Sequence, residues 1–154
     1  CWYSTIYGSI LWRSIMTKIL IWNDKSGNMI YTVPGTGKTP EEAAAKCLPS
    51  GTDYSIVEHT ALPTEKGYRT AWEKNGDTVV INVTKAKAIA HETRRYNRWK
   101  EFEPYDEIIS LNIPGQDATA AETERAKIRT KYATMQTNID NATDIAGIKT
   151  ALGG

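Results

Sequence analysis

Residues 84–100, TKAKAIAHETRRYNRWK, are the point at which the hydrophobic period of the chain changes. Ala86, Ile89, Thr93 and Tyr96 recur at spacings of three and four, which places them on one face of a helix. His91, Arg94, Arg95 and Arg98 share the opposite face. Upstream, the apolar residues come in short β-branched and aromatic runs instead. Strands followed by helices, each segregated along the chain, predict an α+β fold. The boundary falls at residue 84, with an α+β domain over 16–83 and a helical region over 84–154.

Downstream of this segment, Trp99 and Phe102 rotate off the apolar stripe. Pro104 has no N–H for the helical ladder, so a kink or break is predicted between Lys100 and Pro104 before YDEIISLNI continues. PGQD, residues 114–117, reads as a turn. Thr119 and Glu122 have the spacing to cap a long helix. Along that helix Ile128, Tyr132, Met135 and Ile139 alternate at four and three residues, the a/d rhythm of a helix packed lengthwise on another. A short closing helix begins near Thr143 and stops at Gly153. The helical region is therefore predicted to be a hairpin plus a closing helix.

Upstream, KILIW and MIYTV flank NDKSGN, whose Asn, Asp, Ser and Gly supply turn geometry, so a β-hairpin is predicted. Asp24, Ser26 and Asn28 resemble the start of a calcium loop, but the position that needs glycine holds Met29 and the twelfth holds Gly35. PSGTDYSIVEH supplies a turn and a third strand. A second hairpin, turning at Asn75 and Gly76, follows in ALPTEKGYRTAWEKNGDTVVINV. The expected sheet is small, antiparallel or mixed, with four to five strands and one helix.

That one helix lies in TVPGTGKTPEEAAAKC, residues 32–47, which imitates a phosphate-binding loop. The imitation fails on spacing. A P-loop needs a glycine five positions before Gly37, and Thr32 stands there. Pro40, directly after Thr39, suits the first position of a helix rather than its interior. Thr39 then becomes the N-cap and Glu42 its reciprocal partner, a capping box. No nucleotide, metal or other cofactor is expected.

Nineteen Lys and Arg against eighteen Asp and Glu leave a formal charge of +1, so no global field draws the chain to nucleic acid or an anionic membrane. Cys1 and Cys47 have no metal or redox spacing and read most simply as free thiols, with a single disulfide left open. Residues 1–15, CWYSTIYGSILWRSI, are apolar and aromatic, too short for a membrane span and without the charge order of a signal peptide. They read as an N-terminal extension, the other reading being an apolar first strand. No catalytic constellation accompanies His59 and His91, and Glu101, Glu103, Asp106 and Glu107 read as a solvated acidic face. No enzymatic activity is expected.

Two surfaces remain as candidates for binding. Arg94, Arg95, Arg98 and Trp99 on helix 85–100 could face a protein partner or, alternatively, track a nucleic-acid backbone with aromatic stacking. The near-zero net charge and the acidic residues that follow weigh against nucleic acid. Ile128, Tyr132, Met135 and Ile139 offer adaptable apolar area to a partner, or else form the core of the hairpin itself.

The succession GTDYSIVEHTALPTEKGYRTAWEKNGDTVVINVTKAKAIAHETRR resembles small uncharacterised bacteriophage proteins encoded among tail and tail-fibre genes. The residues that carry the likeness are Leu62, Pro63, Arg69, Ala71, Trp72, Lys85, Ala86, Lys87 and Arg94, and the layout extends over residues 16–152. The resemblance implies a virion structural component or a tail-fibre assembly factor. Its partners would be phage tail or tail-fibre proteins, with a homo-oligomer as a further possibility and no membrane. It would reside in the virion or in the cytoplasm of the infected bacterium.

Overall fold

A computed structural model describes residues 18–111 and 115–154. The extension at residues 1–15 lies outside them. Among the described residues the fold is α+β, with five short antiparallel strands in two small sheets followed by a long helix, a second helix and a short closing one. The chain divides into two compact units, the first ending at Asn82 and the second spanning Val83–Gly154.

In the first unit, β1 (Lys18–Asn23) is central, flanked by β2 (Met29–Thr32) and β3 (Tyr54–Glu58). Its register opposes Leu20 to Thr32 on one side and Ile19 to Val57 on the other. The β1–β2 turn is built on Asp24, whose Oδ1 accepts from the backbone N–H groups of Ser26 and Asn28, both at 2.8 Å. Gly27 takes φ +79° there, a left-handed conformation costly for a side-chain-bearing residue. Asp24 thus spends its carboxylate on its own backbone.

A second sheet pairs β4 (Trp72–Asn75) with β5 (Thr78–Ile81), the two residues Gly76 and Asp77 closing the hairpin. Successive β1 side chains point to opposite faces. Ile19 and Ile21 join Val57, Trp72 and Val79 in one buried cluster, so both sheets contribute to a single core. Leu20 is buried too, and α1 (Pro40–Cys47) packs against β1. The helix opens as its spacing requires: Thr39 Oγ1 accepts from the N–H of Glu42 at 3.2 Å, and Glu42 Oε2 accepts from the N–H of Thr39 at 3.1 Å. The Gly-Lys-Thr segment is an N-cap.

The second unit contains α2 (Val83–Leu111), α3 (Ala118–Asn141) and α4 (Ile145–Ala151). Two sequence expectations are corrected here. First, the expected break is absent, and α2 runs through Pro104 as one helix. Lys100 and Pro104 are both exposed, so the hydrogen bond that proline deletes falls on the solvent side, where the freed carbonyl is open to water. On the inner side, residues before and after the proline are tied to α3. Second, α3 is capped by Asp117 and not by Thr119. Asp117 Oδ1 accepts from the N–H groups of Thr119 and Ala120 at 2.8 and 3.1 Å. Glu122 is drawn away to Arg125 and Arg129, two cations one and two turns onward. The closing helix begins at Ile145 after Asp144, whose Oδ1 accepts from the N–H of Gly147 at 2.7 Å.

Candidate functional site

The side chains singled out by sequence all lie in the helical unit, and the structure sorts them into an inner and an outer set. The inner set begins with small residues. Ala86 and Ala90 are completely buried, one turn apart on α2, and their short side chains permit a close helix–helix approach. Arg94 continues this line and is only 7% exposed. The face predicted to be polar therefore turns inward at Arg94, while Thr93 and Tyr96, predicted to be on the buried face, are exposed. The buried stripe is rotated relative to the expected one because the alanines, and not Ile89 and Tyr96, set the contact.

On α3, Ile128, Tyr132 and Ile139 are buried and Met135 is half-buried. Ile148 of α4 is fully buried. The a/d stripe is thus the core of the helical unit, and the expectation that it offers open surface to a partner is corrected. The reason is that α2 extends past Pro104 and, together with α4, covers it.

A ladder of polar contacts fixes the hairpin register. Lys87 Nζ donates to the Asp140 carbonyl at 2.7 Å, and His91 Nε2 lies 3.0 Å from Asp140 Oδ1. Arg94 Nη1 donates to the Tyr132 carbonyl at 3.3 Å. Glu101 Oε1 accepts from Lys131 Nζ and from the Tyr132 hydroxyl, each at 2.7 Å. Beyond Pro104, Asp106 Oδ1 meets Arg125 Nε at 3.0 Å in an ionic contact whose alignment falls short of a hydrogen bond. Arg125 also lies 5.5 Å from the centre of the Phe102 ring.

These contacts shift the groups involved. The hydrogen bond from Lys131, joined by that from Tyr132, holds Glu101 below its ordinary value against the cost of burial. Burial first, and the Glu101 carboxylate second, push the Tyr132 hydroxyl up to about 12. Desolvation lowers Arg94, Arg98 and Arg95 add repulsion, and Asp140 opposes them. Its Nε has no hydrogen-bond acceptor among the described residues.

The outer set is what remains on α2. Tyr96 and Trp99 are 55% and 57% exposed, and their rings meet in a tilted pair with centroids 5.9 Å apart. Lys100 Nζ sits 5.4 Å from the centre of the Tyr96 ring, and the Arg98 guanidinium 6.0 Å from that of Phe102. Arg95 is exposed and bound to Glu92 one turn earlier. Arg98 and Trp99 are therefore where a partner could reach them, Arg95 is reachable but already paired, and Arg94 is inside. A duplex-gripping stripe of three arginines is not present in that form. Tyr96, placed by periodicity on the buried face, lies on the surface, and its spacing of three from Trp99 puts the two aromatics side by side.

Among the described residues, no group of His, Cys, Asp and Glu side chains has the arrangement of a metal site, and no helix is long and apolar enough to cross a membrane. No protein-family model, curated protein or solved structure matches the chain.

Proposed function

We propose that this chain acts without catalysis, through protein–protein contacts made as part of a bacteriophage tail or during its assembly, with Tyr96, Arg98 and Trp99 on α2 as the contact surface. The observation that carries the contact reading is the exposed Tyr96–Trp99 ring pair beside Arg98, on a unit whose own apolar stripe is already covered. Tyr, Trp and Arg dominate the energetics of protein interfaces because they bury large area at little entropic cost or bind in several directions. The phage context rests on the resemblance of residues 16–152 described above. Tail or tail-fibre proteins are the proposed partners, and virion or infected cytoplasm the proposed location.

The test is mass spectrometry of purified particles and of tail-assembly intermediates, paired with affinity measurements on whichever protein co-purifies. Tyr96→Ala with Trp99→Ala leaves the core untouched and is expected to weaken the complex about thirtyfold or more, the effect of losing one or more interface hot spots. A native protein that is monomeric and absent from both samples refutes the assignment.

A further inference from the structure

The first unit carries a feature that the contact reading does not use. The Leu-Pro and Arg-x-Ala-Trp residues of the sequence converge on one cleft of about 320 Å³, lined by Leu62, Pro63, Lys66 and Arg69 together with Tyr31 and Trp72. That volume is at the small end of ligand pockets, enough for a single-ring molecule. We infer that this cleft binds a small organic anion, a carboxylate or phosphate head on a planar or apolar body.

Charge supplies the first half of the argument. The lining holds Lys66 and Arg69 and no Asp or Glu. Neither cation forms an ion pair among the described residues, whereas Lys38 and Lys74 of the same unit are paired with Glu42 and Asp53. The nearest carboxylate in sequence, Glu65, accepts a hydrogen bond from Thr64 Oγ1 at 2.8 Å. Arg69 rests against the Trp72 ring, 5.9 Å from its centre, which orients the guanidinium while leaving its N–H groups for a ligand. Two unpaired cations beside one concave surface select an anion.

Shape and polarity supply the second half. The Tyr31 and Trp72 rings, with centroids 6.5 Å apart, and the Leu62 and Pro63 side chains make an apolar wall that an inorganic ion alone would leave uncovered. A head group at Lys66 and Arg69 with its body on this wall uses both halves of the cleft.

Trp72 lines the cleft and its indole N–H is buried without an acceptor among the described residues, so its resonance in a ¹H–¹⁵N spectrum of the full chain reports a change in the ring's surroundings on occupancy. Benzoate, phenyl phosphate, inorganic phosphate and the neutral benzyl alcohol are titrated as probes. Saturable shifts with benzoate or phenyl phosphate, at least about tenfold tighter than with benzyl alcohol, are expected from a charge-assisted contact. Whichever head binds more tightly identifies the natural one. Lys66 and Arg69 are exposed, so Lys66→Gln and Arg69→Gln preserve the fold and each weakens binding by several-fold. Benzyl alcohol binding as well as the anions, no saturation by either anion, or unchanged binding in both variants overturns the inference. Inorganic phosphate matching phenyl phosphate overturns the role given to the apolar wall.

Discussion

Arg94 shows how far a single side chain can depart from its pattern. A guanidinium carries its charge at any ordinary pH, and burying it costs several kcal/mol unless partners compensate. Here the compensation is one hydrogen bond, to the Tyr132 carbonyl, and the field of Asp140. Arg94→Met keeps the aliphatic stem and removes the charge. Its expected effect lies between no change and a gain of about 2 kcal/mol in unfolding free energy, read from chemical denaturation. A loss of more than about 1 kcal/mol would mean that the carbonyl contact outweighs desolvation. The burial of Arg94 was not legible in the sequence because charge is the usual mark of the outer face of a helix. Two alanines at the preceding turns overrode that mark by bringing the helices close. The Thr39 cap was legible, since every atom it needs lies within four residues.

At the scale of elements, Glu101 and Tyr132 join α2 to α3 with shifted titrations, and the sign of each effect follows from its shift. Glu101 is depressed, so its contribution is present above its unfolded value of 4.5 and disappears as pH falls through the lower folded value. Tyr132 is raised, so its contribution is complete below its unfolded value of 10.0 and is lost as pH rises through about 12. Thermal stability is therefore expected to decline between these two alkaline values. Tyr132→Phe lacks this hydroxyl, and its deficit relative to the native chain should shrink over the same window. A deficit that stays constant to pH 12 would remove the Glu101–Tyr132 bond from the account. The helices were legible as elements from their periodicity, including the a/d stripe of α3. What covers that stripe was not, because continuity through Pro104 depends on which side of α2 meets water, and periodicity alone does not settle that. The cap of α3 was misread for a related reason: Thr119 and Glu122 have box spacing, but Arg125 and Arg129 compete for the glutamate.

For the whole molecule, the division after Asn82 has a direct consequence. The helical unit contains its own buried set, from Ala86 and Ala90 through Tyr132 and Ile139 to Ile148, and its own polar ladder. A fragment of residues 83–154 is expected to be helical by circular dichroism and to melt in one cooperative transition. A broad, non-cooperative melt would show that its core is completed from outside. The α+β class was legible across the chain from the change of period at residue 84. That the five strands divide into two sheets was not, since alternation reveals a strand but not its neighbours.

Pro104, finally, divides α2 in time as well as in hydrogen bonding. The turns beyond it are tied to α3 by the Asp106–Arg125 contact, and the helix ends at an exposed Leu111. The segment N-terminal to it is anchored through Lys87, His91, Arg94 and Glu101. Amide protons over residues 105–111 should therefore exchange with deuterium through local opening, well ahead of those over 86–100, which wait for the whole unit to unfold. The end of α2 becomes a separately yielding segment whose loosening uncovers the start of α3 beneath it while the contacts from Lys87 to Glu101 still hold.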